Sequence, residues 1–219
     1  MQVEILDATS YPLTTIGSYA SYCYDTQLKD LDHAKRIALH CIKSGHGRNL
    51  EFANITLKIT CSARCAREFY THIGGAPTRV QASTRYITYD NFKYFIPKFP
   101  VPELEQDYND VMEVIRDFYN KMKQYGTEND VTGYILPLAM ETTFIWKGNV
   151  RTLENMFNQR LCLRALDEYR QLMLMIKAVI NDELDNEWEW INKNLFISKC
   201  AKLGYCPENN KKCVLYKER

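Results

Sequence analysis

The stretch Asn149–Glu168, NVRTLENMFNQRLCLRALDE, carries the clearest periodic pattern of this 219-residue chain. Its apolar side chains recur every three or four residues, which predicts an amphipathic helix with one buried face. Those side chains are Leu153, Met156, Phe157 and Leu161. Asn149 is a plausible N-cap, because its side-chain oxygen can accept a hydrogen bond from a free backbone N–H of the first turn. We expect this helix to continue to about Ile180.

The polar face of the same helix gathers one carboxamide and one guanidinium in neighbouring positions. Arg151 and Asn155 are four residues apart and therefore adjacent on the helix surface. Together with Asn149 and Arg160 they form a set that can bind an anionic or heterocyclic ligand. The alternative is a solvated helix face with ordinary caps, and spacing alone does not separate the two.

The composition and net charge of the chain exclude several classes of protein. With 46% hydrophobic residues, 25% charged residues and a net charge of +1, the chain has the composition of an ordinary globular protein and no overall field that attracts nucleic acid. It contains no apolar run of membrane-spanning length, and its first ten residues, MQVEILDATS, lack a signal-peptide pattern. We therefore expect a cytoplasmic protein that binds neither nucleic acid nor membranes.

Eight cysteines are many for such a location. Five are scattered and mostly have the apolar neighbours of small buried hydrophobic residues: Cys23, Cys41, Cys61, Cys65 and Cys162. The other three lie in the tail CAKLGYCPENNKKC, at Cys200, Cys206 and Cys213. Three thiols without a CxxC pair or a nearby histidine fall short of a structural zinc set, so we predict no metal site.

The remaining pattern predicts one α+β domain. Alternating apolar residues indicate strands near residues 1–7 and 53–60, and a further extended run lies at 135–146. Helical periodicity indicates helices at 31–43, 62–72 and 188–196, and a long helix with an apolar stripe from 104 to 122. Gly74, Gly75 and Pro77 predict a loop that ends in Ser83-Thr84-Arg85-Tyr86.

Three segments, in order, resemble the flavin-dependent thymidylate synthase family, also called thymidylate synthase-complementing proteins. ILPLAMETTFIWKGNVRTLENMFNQRLCLRALDE (135–168) looks like its LPL strand and N-x-R-x-L-x-N-F-x-x-x-R helix. GHGRNLEFANITLKI (45–59) is similar to its G-H-E-T-P-F-E-H segment. ARCAREFYTHIGGAPTRVQASTRYITY (63–89) takes the place of its signature, R-H-R followed by S-x-R-Y. The resemblance runs from the first strand to about Ile180.

This resemblance implies a fold and a reaction. The fold is a single α+β domain with a small central, mostly antiparallel sheet flanked by long helices, here followed by a helical, cysteine-containing extension at about 184–219. The reaction is the conversion of dUMP to dTMP, with FAD as cofactor, methylenetetrahydrofolate as carbon donor and NADPH as reductant. The family works as a homotetramer with shared active sites and needs no catalytic thiol.

The resemblance also implies roles for particular residues. FAD is expected at His46, Glu51, His72, Asn149, Arg151 and Asn155. The substrate dUMP is expected at Glu68, Gln81, Ser83, Arg85 and Arg160, and the catalytic role is expected for Arg160 and Ser83.

The chain departs from the family pattern at several positions, among them Gln81, which stands where a glutamate is common. Thr71 and Ile73 replace the two arginines beside His72, and the loop before Ser83 is two residues longer. Three functions therefore stay open: an active FAD-dependent thymidylate synthase, a related flavoenzyme that modifies another pyrimidine nucleotide, and a catalytically inert nucleotide-binding relative.

Overall fold

A computed structural model of the chain describes residues 1–218, which contain one sheet and a set of helices around it. The strands are β1 (Gln2–Ala8), β2 (Asn54–Ser62), β3 (Thr78–Gln81) and β4 (Glu141–Asn149). The α-helices are α1 (Pro12–Ser21), α2 (Leu31–Lys43), α3 (Ala63–Phe69), α4 (Pro102–Gln124), α5 (Asn129–Thr132), α6 (Val150–Arg160), α7 (Asp167–Glu183), α8 (Asn186–Asn194) and α9 (Lys199–Leu203). The α+β prediction is confirmed.

The sheet has the order β1-β2-β4-β3, and every neighbouring pair is antiparallel. Strand β2 alternates as its sequence predicts: Ile55, Leu57 and Ile59 are fully buried, while the residues between them are partly or fully exposed. The core lies between this face and helices α6, α7 and α8. Because Asn54 of β2 pairs with Asn149 of β4, helix α6 starts directly at the end of the central strand pair.

Helices α1 and α2 pack closely against each other where Gly17 meets Ala34. A Cβ atom on Gly17 would lie 1.7 Å from the carbonyl oxygen of Ala34, so only glycine fits at this crossing. Asp30 caps α2, because its carboxylate accepts a hydrogen bond from the backbone N–H of His33 at 2.6 Å. Gly45 follows α2 in a left-handed conformation, which glycine adopts readily at a helix C-terminus.

The prediction of one helix from Asn149 to about Ile180 is wrong, because α6 ends at Arg160 and α7 begins at Asp167. The break has a tertiary cause. The buried carboxylate of Glu168, in the first turn of α7, accepts hydrogen bonds from the backbone N–H of Ser62 at 2.8 Å and from its hydroxyl at 2.5 Å. This bond ties the start of α7 to the end of β2.

Two other regions differ from the sequence-based picture. The segment after Gly75 contains strand β3, which pairs with β4, where the sequence predicts only a loop. Helix α4 buries Met112 and Tyr119 of its apolar stripe and half-buries three others, but it leaves part of the stripe exposed. The half-buried residues are Tyr108, Ile115 and Met122. Val111 and Phe118 are 54% and 52% exposed. Within residues 1–218 no helix is both long enough and apolar enough to cross a membrane.

Candidate functional site

The start of helix α6 is fixed by Asn149, whose predicted role as N-cap is confirmed. Its side-chain oxygen accepts a hydrogen bond from the backbone N–H of Thr152 at 2.9 Å, and its amide nitrogen donates to the carbonyl of Gly75 at 3.1 Å. The Thr152 hydroxyl donates to the carbonyl of Gly74 at 2.7 Å. Because Asn149 is buried, its contribution to the protein surface is indirect: its side chain holds the Gly74–Gly75 loop in place.

The segment that contains His46 lies beside the same helix start. Arg151 forms an ion pair with Glu51 at 2.6 Å, which joins the two segments that the sequence places 100 residues apart. The backbone of Gly47 is close to the Arg151 guanidinium, since a Cβ on Gly47 would lie 3.6 Å from its Nε. His46 itself is exposed next to this contact. Four of the six residues expected at FAD therefore converge here.

A cavity of about 490 Å³ opens along this end of α6, and we call it the α6 cavity. Its lining is the loop and the exposed face of the helix: Gly74, Gly75, Arg151, Thr152, Glu154, Asn155, Asn158 and Lys202. Two cations stand at its wall, Arg151 paired with Glu51 and Lys202 paired with Glu154. Of the N–H groups in the first turn of α6, those of Val150 and Thr152 are bonded to Ala53 and Asn149. The two cations and the positive end of the helix dipole still favour an anion such as a pyrophosphate.

The other end of α6 carries a second polar group, which we call the Arg160 cluster: Glu68, Thr71, His72, Arg160 and Tyr169. Arg160 donates from Nε to Nε2 of His72 at 2.9 Å and from its terminal nitrogens to Glu68 at 3.1 Å and to the Thr71 hydroxyl at 3.3 Å. Its guanidinium lies 5.0 Å from the centre of the Tyr169 ring. These contacts fix the plane of the guanidinium, while 21% of the side chain remains exposed.

His72 is neutral in this cluster. Burial, helped by the positive charge of Arg160, lowers the pKa of His72 from its ordinary 6.5 to about 4. Since Nε2 accepts the hydrogen bond from Arg160, the ring proton is assigned to Nδ1. Burial also raises the pKa of the Tyr169 hydroxyl, so this group is uncharged as well. The only charges within the cluster are those of Arg160 and Glu68, which pair with each other.

The loop that carries Ser83 and Arg85 lies elsewhere. Arg85 pairs with Asp130 of α5 at 2.8 Å, and the Ser83 hydroxyl accepts a hydrogen bond from the Arg85 backbone N–H at 3.2 Å. Within residues 1–218 no hydrogen bond or ion pair joins this loop to Arg160. Within residues 1–218 these contacts do not join the two parts of the expected dUMP site.

Gln81 also turns away from the Arg160 cluster. Its side chain accepts a hydrogen bond from the Tyr70 hydroxyl at 2.5 Å and donates to the Thr142 hydroxyl at 2.9 Å, so it fastens β3 to β4. In this chain both ends of the Gln81 amide are occupied by protein groups.

Sequence reasoning missed two residues of these groups. Tyr169 has the spacing of an ordinary core residue, and nothing in the pattern indicates its contact with Arg160. Lys202 comes from the tail helix α9, which the sequence does not connect with α6. Of the two residues that replace the signature arginines, Thr71 retains a hydrogen bond to Arg160, whereas Ile73 is exposed.

Comparison with known proteins identifies the family to which this sequence and architecture are similar. The family model described as thymidylate synthase complementing protein matches residues 4–184. The flavin-dependent thymidylate synthase of Pyrococcus furiosus is 26% identical, over 96% of this chain and 91% of that protein. The enzyme of the same description from Clostridium tetani is 28% identical, over 97% of this chain and 93% of its own.

Among solved structures, the flavin-dependent thymidylate synthase of Helicobacter pylori, crystallised with FAD and dUMP, has a similar fold. The TM-score is 0.71 at 18% identity, and the match covers 89% of this chain and 99% of the other. The fold agrees with the one that the sequence resemblance implies, and the family match extends over most of the chain. The chain therefore belongs to the thymidylate synthase complementing protein family.

Proposed function

We propose that this protein is a FAD-dependent thymidylate synthase, which converts dUMP to dTMP with methylenetetrahydrofolate as carbon donor and NADPH as reductant. The observation that carries the proposal is the Arg160 cluster, a partly exposed guanidinium held in one orientation at the end of α6 in a chain of this family. FAD, when bound, passes reducing equivalents from NADPH to the nucleotide.

The α6 cavity fits the anionic part of FAD. Its wall combines a helix start with Arg151 and Lys202, the donor set that a pyrophosphate requires. Asn155 lies one turn further along the same wall, and exposed His46 stands beside Arg151. A phosphate here competes with Glu51 for Arg151, so we expect their ion pair to open when FAD binds.

Arg160 orients the pyrimidine of dUMP. A guanidinium has five N–H donors, and the partners His72, Glu68 and Thr71 use the inner ones. The exposed edge of Arg160 keeps donors that can read the carbonyl oxygens and ring nitrogen of a uracil. Neutral His72 is suited to this arrangement, because a charged imidazolium would repel the guanidinium.

The variant Arg160→Lys tests this role. An ammonium cannot reproduce the planar contacts, so we expect kcat/KM for dUMP to fall about 10- to 100-fold, as charge-assisted hydrogen bonds contribute about 1.5–3 kcal/mol. Bound FAD, measured by its absorbance, should stay at the wild-type level. Arg36→Lys, on the exposed surface of α2, is the matched control. Unchanged dUMP kinetics in Arg160→Lys would remove Arg160 from the site.

The loop with Ser83 and Arg85 is assigned to the active site of a neighbouring subunit. Arg85 pairs with Asp130 of α5, and within residues 1–218 the loop makes no hydrogen bond or ion pair with Arg160 of its own chain, which supports its place in the dUMP site of a second copy. Helix α4 supplies a surface for that assembly: Val111, Val114 and Phe118 are each more than half exposed. We infer a homotetramer with shared active sites, which works in the cytoplasm, where its nucleotide and folate substrates are found.

Light scattering tests the assembly. Val114→Glu places a charge in the exposed apolar surface of α4, where Val114 is 67% exposed, and should reduce the measured mass to that of a smaller species. Gln124→Glu adds the same charge at an exposed position of α4 away from this surface and should leave the mass unchanged. A wild-type protein that is monomeric at micromolar concentration would contradict shared sites.

A different pyrimidine nucleotide is the second candidate, favoured by Thr71. The hydroxyl of Thr71 stands beside Arg160 where the family pattern has an arginine, which lowers the positive charge near the substrate. A titration that compares dUMP with dCMP decides between the two substrates. Formation of dTMP coupled to NADPH oxidation would rule out this candidate. It would also rule out the third possibility, a catalytically inert nucleotide-binding relative.

A further inference from the structure

Four of the eight cysteines line one cavity of about 500 Å³, which we call the cysteine cavity. Cys162 follows helix α6, Cys200 lies in the first turn of α9, and Cys206 and Cys213 lie in the terminal segment after α9. All four are half-buried and none forms a disulfide. The three tail thiols fall short of a metal-binding set by themselves, but the fold supplies Cys162 as a fourth.

The fold holds the tail at this place through polar contacts. Asn158 of α6 donates to the carbonyl of Ile197 at 3.2 Å, and Lys202 of α9 pairs with Glu154 of α6. Arg164, two residues after Cys162, pairs with Glu208 at 3.1 Å. These contacts bring the terminal segment against the end of α6, beside Arg160, which lines the same cavity.

The terminal segment after α9 has no apolar core of its own. Its larger apolar side chains, Val214 and Leu215, are 87% and 55% exposed. Within residues 204–218 the structure contains neither a helix nor a strand, and the chain follows short turns such as the one closed by the bond from the Cys213 N–H to the carbonyl of Asn210. The Cys206 N–H donates to the carbonyl of Lys217, which brings the two ends of the segment together. Short segments that cannot bury enough apolar surface are commonly held by metal ions or disulfides.

The spacing of the thiols distinguishes between metals. Sulfur ligands lie about 3.8 Å apart around a single zinc ion, since Zn–S bonds are about 2.3 Å long. Within residues 1–218 the only set of three or more potential ligands that all lie within 4.8 Å of one another is elsewhere, at Cys61, Cys65 and Glu168. No three of the four thiols in the cysteine cavity meet this criterion, so they do not have the close spacing of ligands to one zinc ion. A four-iron cluster accepts a wider spacing, because each thiolate binds a different iron.

The charges around the cavity agree with this choice. A cluster with four thiolate ligands carries net negative charge, and charged and hydrogen-bonding groups nearby tune its stability. Arg160, Arg164 and Lys199 line the cavity, against one carboxylate, Glu208.

The compact set at Cys61, Cys65 and Glu168 is satisfied without a metal. Both carboxylate oxygens of Glu168 accept hydrogen bonds from Ser62, and the Cys61 thiol donates to the carbonyl of Ser62 at 3.4 Å. The neighbouring Cys61 thiol, together with burial, raises the pKa of the Cys65 thiol, so it is protonated. The set also offers three ligand atoms, one fewer than a closed tetrahedral site requires.

We propose that Cys162, Cys200, Cys206 and Cys213 bind a four-iron, four-sulfide cluster that fastens the C-terminal segment to the end of helix α6. The four thiols release their protons on ligation, and no electron transfer by the cluster is required. Because Cys162 is two residues from Arg160, the cluster also fixes the backbone that carries the Arg160 cluster.

Metal analysis of the full chain tests the proposal. Protein produced and purified without oxygen should contain about four iron atoms and about four acid-labile sulfides per chain. Cys206→Ser and Cys213→Ser should each lose most of both, while Cys23→Ser, at an exposed cysteine away from the cavity, should keep them. Protein with one zinc per chain and no sulfide overturns the cluster, as does iron content that none of these substitutions changes.

Alkylation of the wild-type protein gives a test that does not depend on how the variants fold. In the native, anaerobic protein iodoacetamide should modify Cys23 and leave the four cavity cysteines unmodified, as read by peptide mass spectrometry. Removal of iron with a chelator under reducing conditions should make all four reactive. Modification of the four cysteines before chelation overturns the proposal.

Discussion

His72 makes the stability of this protein sensitive to mild acid. The side chain is 5% exposed, accepts a hydrogen bond from Arg160 and has a pKa of about 4 in the folded chain, against about 6.5 for an unfolded histidine. Between these two values the unfolded chain binds a proton that the folded chain does not bind. The stability that neutral His72 provides is therefore complete above about pH 6.5 and is lost as the pH falls towards 4.

The size of this loss follows from the two pKa values. Between pH 7.5 and pH 5 the free energy of unfolding should fall by about 2 kcal/mol on account of His72 alone. His72→Gln offers Arg160 a side-chain oxygen as acceptor but does not titrate, so it should lack this component. Urea unfolding followed by circular dichroism at pH 7.5, 6 and 5 measures the difference, and acid effects of the carboxylates cancel between the two proteins.

A matched control separates this effect from histidine loss in general. His40 is exposed on α2, and His40→Gln should follow the wild-type pH profile. If wild type and His72→Gln lose stability in parallel between pH 7.5 and pH 5, then His72 is not held neutral. In that case the hydrogen bond from Arg160 to Nε2 is also wrong, because an imidazolium has no acceptor nitrogen.

Five further substitutions, at four positions, test local packing and capping by urea unfolding at pH 7.5. Asn149→Ala should lower the free energy of unfolding by about 1–2 kcal/mol, because the helix cap is lost. Asn149→Asp keeps the capping oxygen but not the donor to the loop, so it should lower the free energy of unfolding by less. Equal losses in the two variants would show that the cap contributes nothing. Gly17→Ala should lower the free energy of unfolding by about 2 kcal/mol or more, because its methyl group meets a backbone carbonyl of α2. Gly74→Ala has open space around the added methyl group, so its free energy of unfolding should stay within about 0.5 kcal/mol of wild type. Trp188→Phe removes the bond from the indole N–H to the carbonyl of Thr9 at 2.8 Å and leaves a small void, and should cost about 2–3 kcal/mol; a cost below about 0.5 kcal/mol would mean that this contact is not made.

Local patterns predict the elements that are decided by neighbours in the chain. Helix α2 has the predicted bounds, because its aspartate cap, its apolar face and the glycine after it all lie within 16 residues. Strand β2 shows the predicted burial, since alternation alone decides which side chains of a strand share a face. The N-cap role of Asn149 likewise depends on one side chain and a backbone N–H three residues away.

Contacts between distant residues explain what the pattern misses. The helical periodicity of Asn149–Ile180 does not reveal the break at 161–166, where hydrogen bonds from Ser62 to Glu168, across 106 residues, hold the start of α7. The exposed apolar residues of α4 are a second example. Apolar spacing indicates a helix face that is suited to burial, but it does not show whether this chain or another copy of it covers that face.

The sequence by itself determined the fold class, the family and the set of polar residues at the two ends of α6, since motifs and periodicities are properties of short segments. Only the tertiary structure decided how these residues act. It made Asn149 a tether for the loop, placed neutral His72 behind Arg160, turned Ser83 and Arg85 away from both, and brought Cys162 to the tail cysteines. The physical reason is that each of these roles depends on a distance between residues far apart in the chain, which only the packed chain determines.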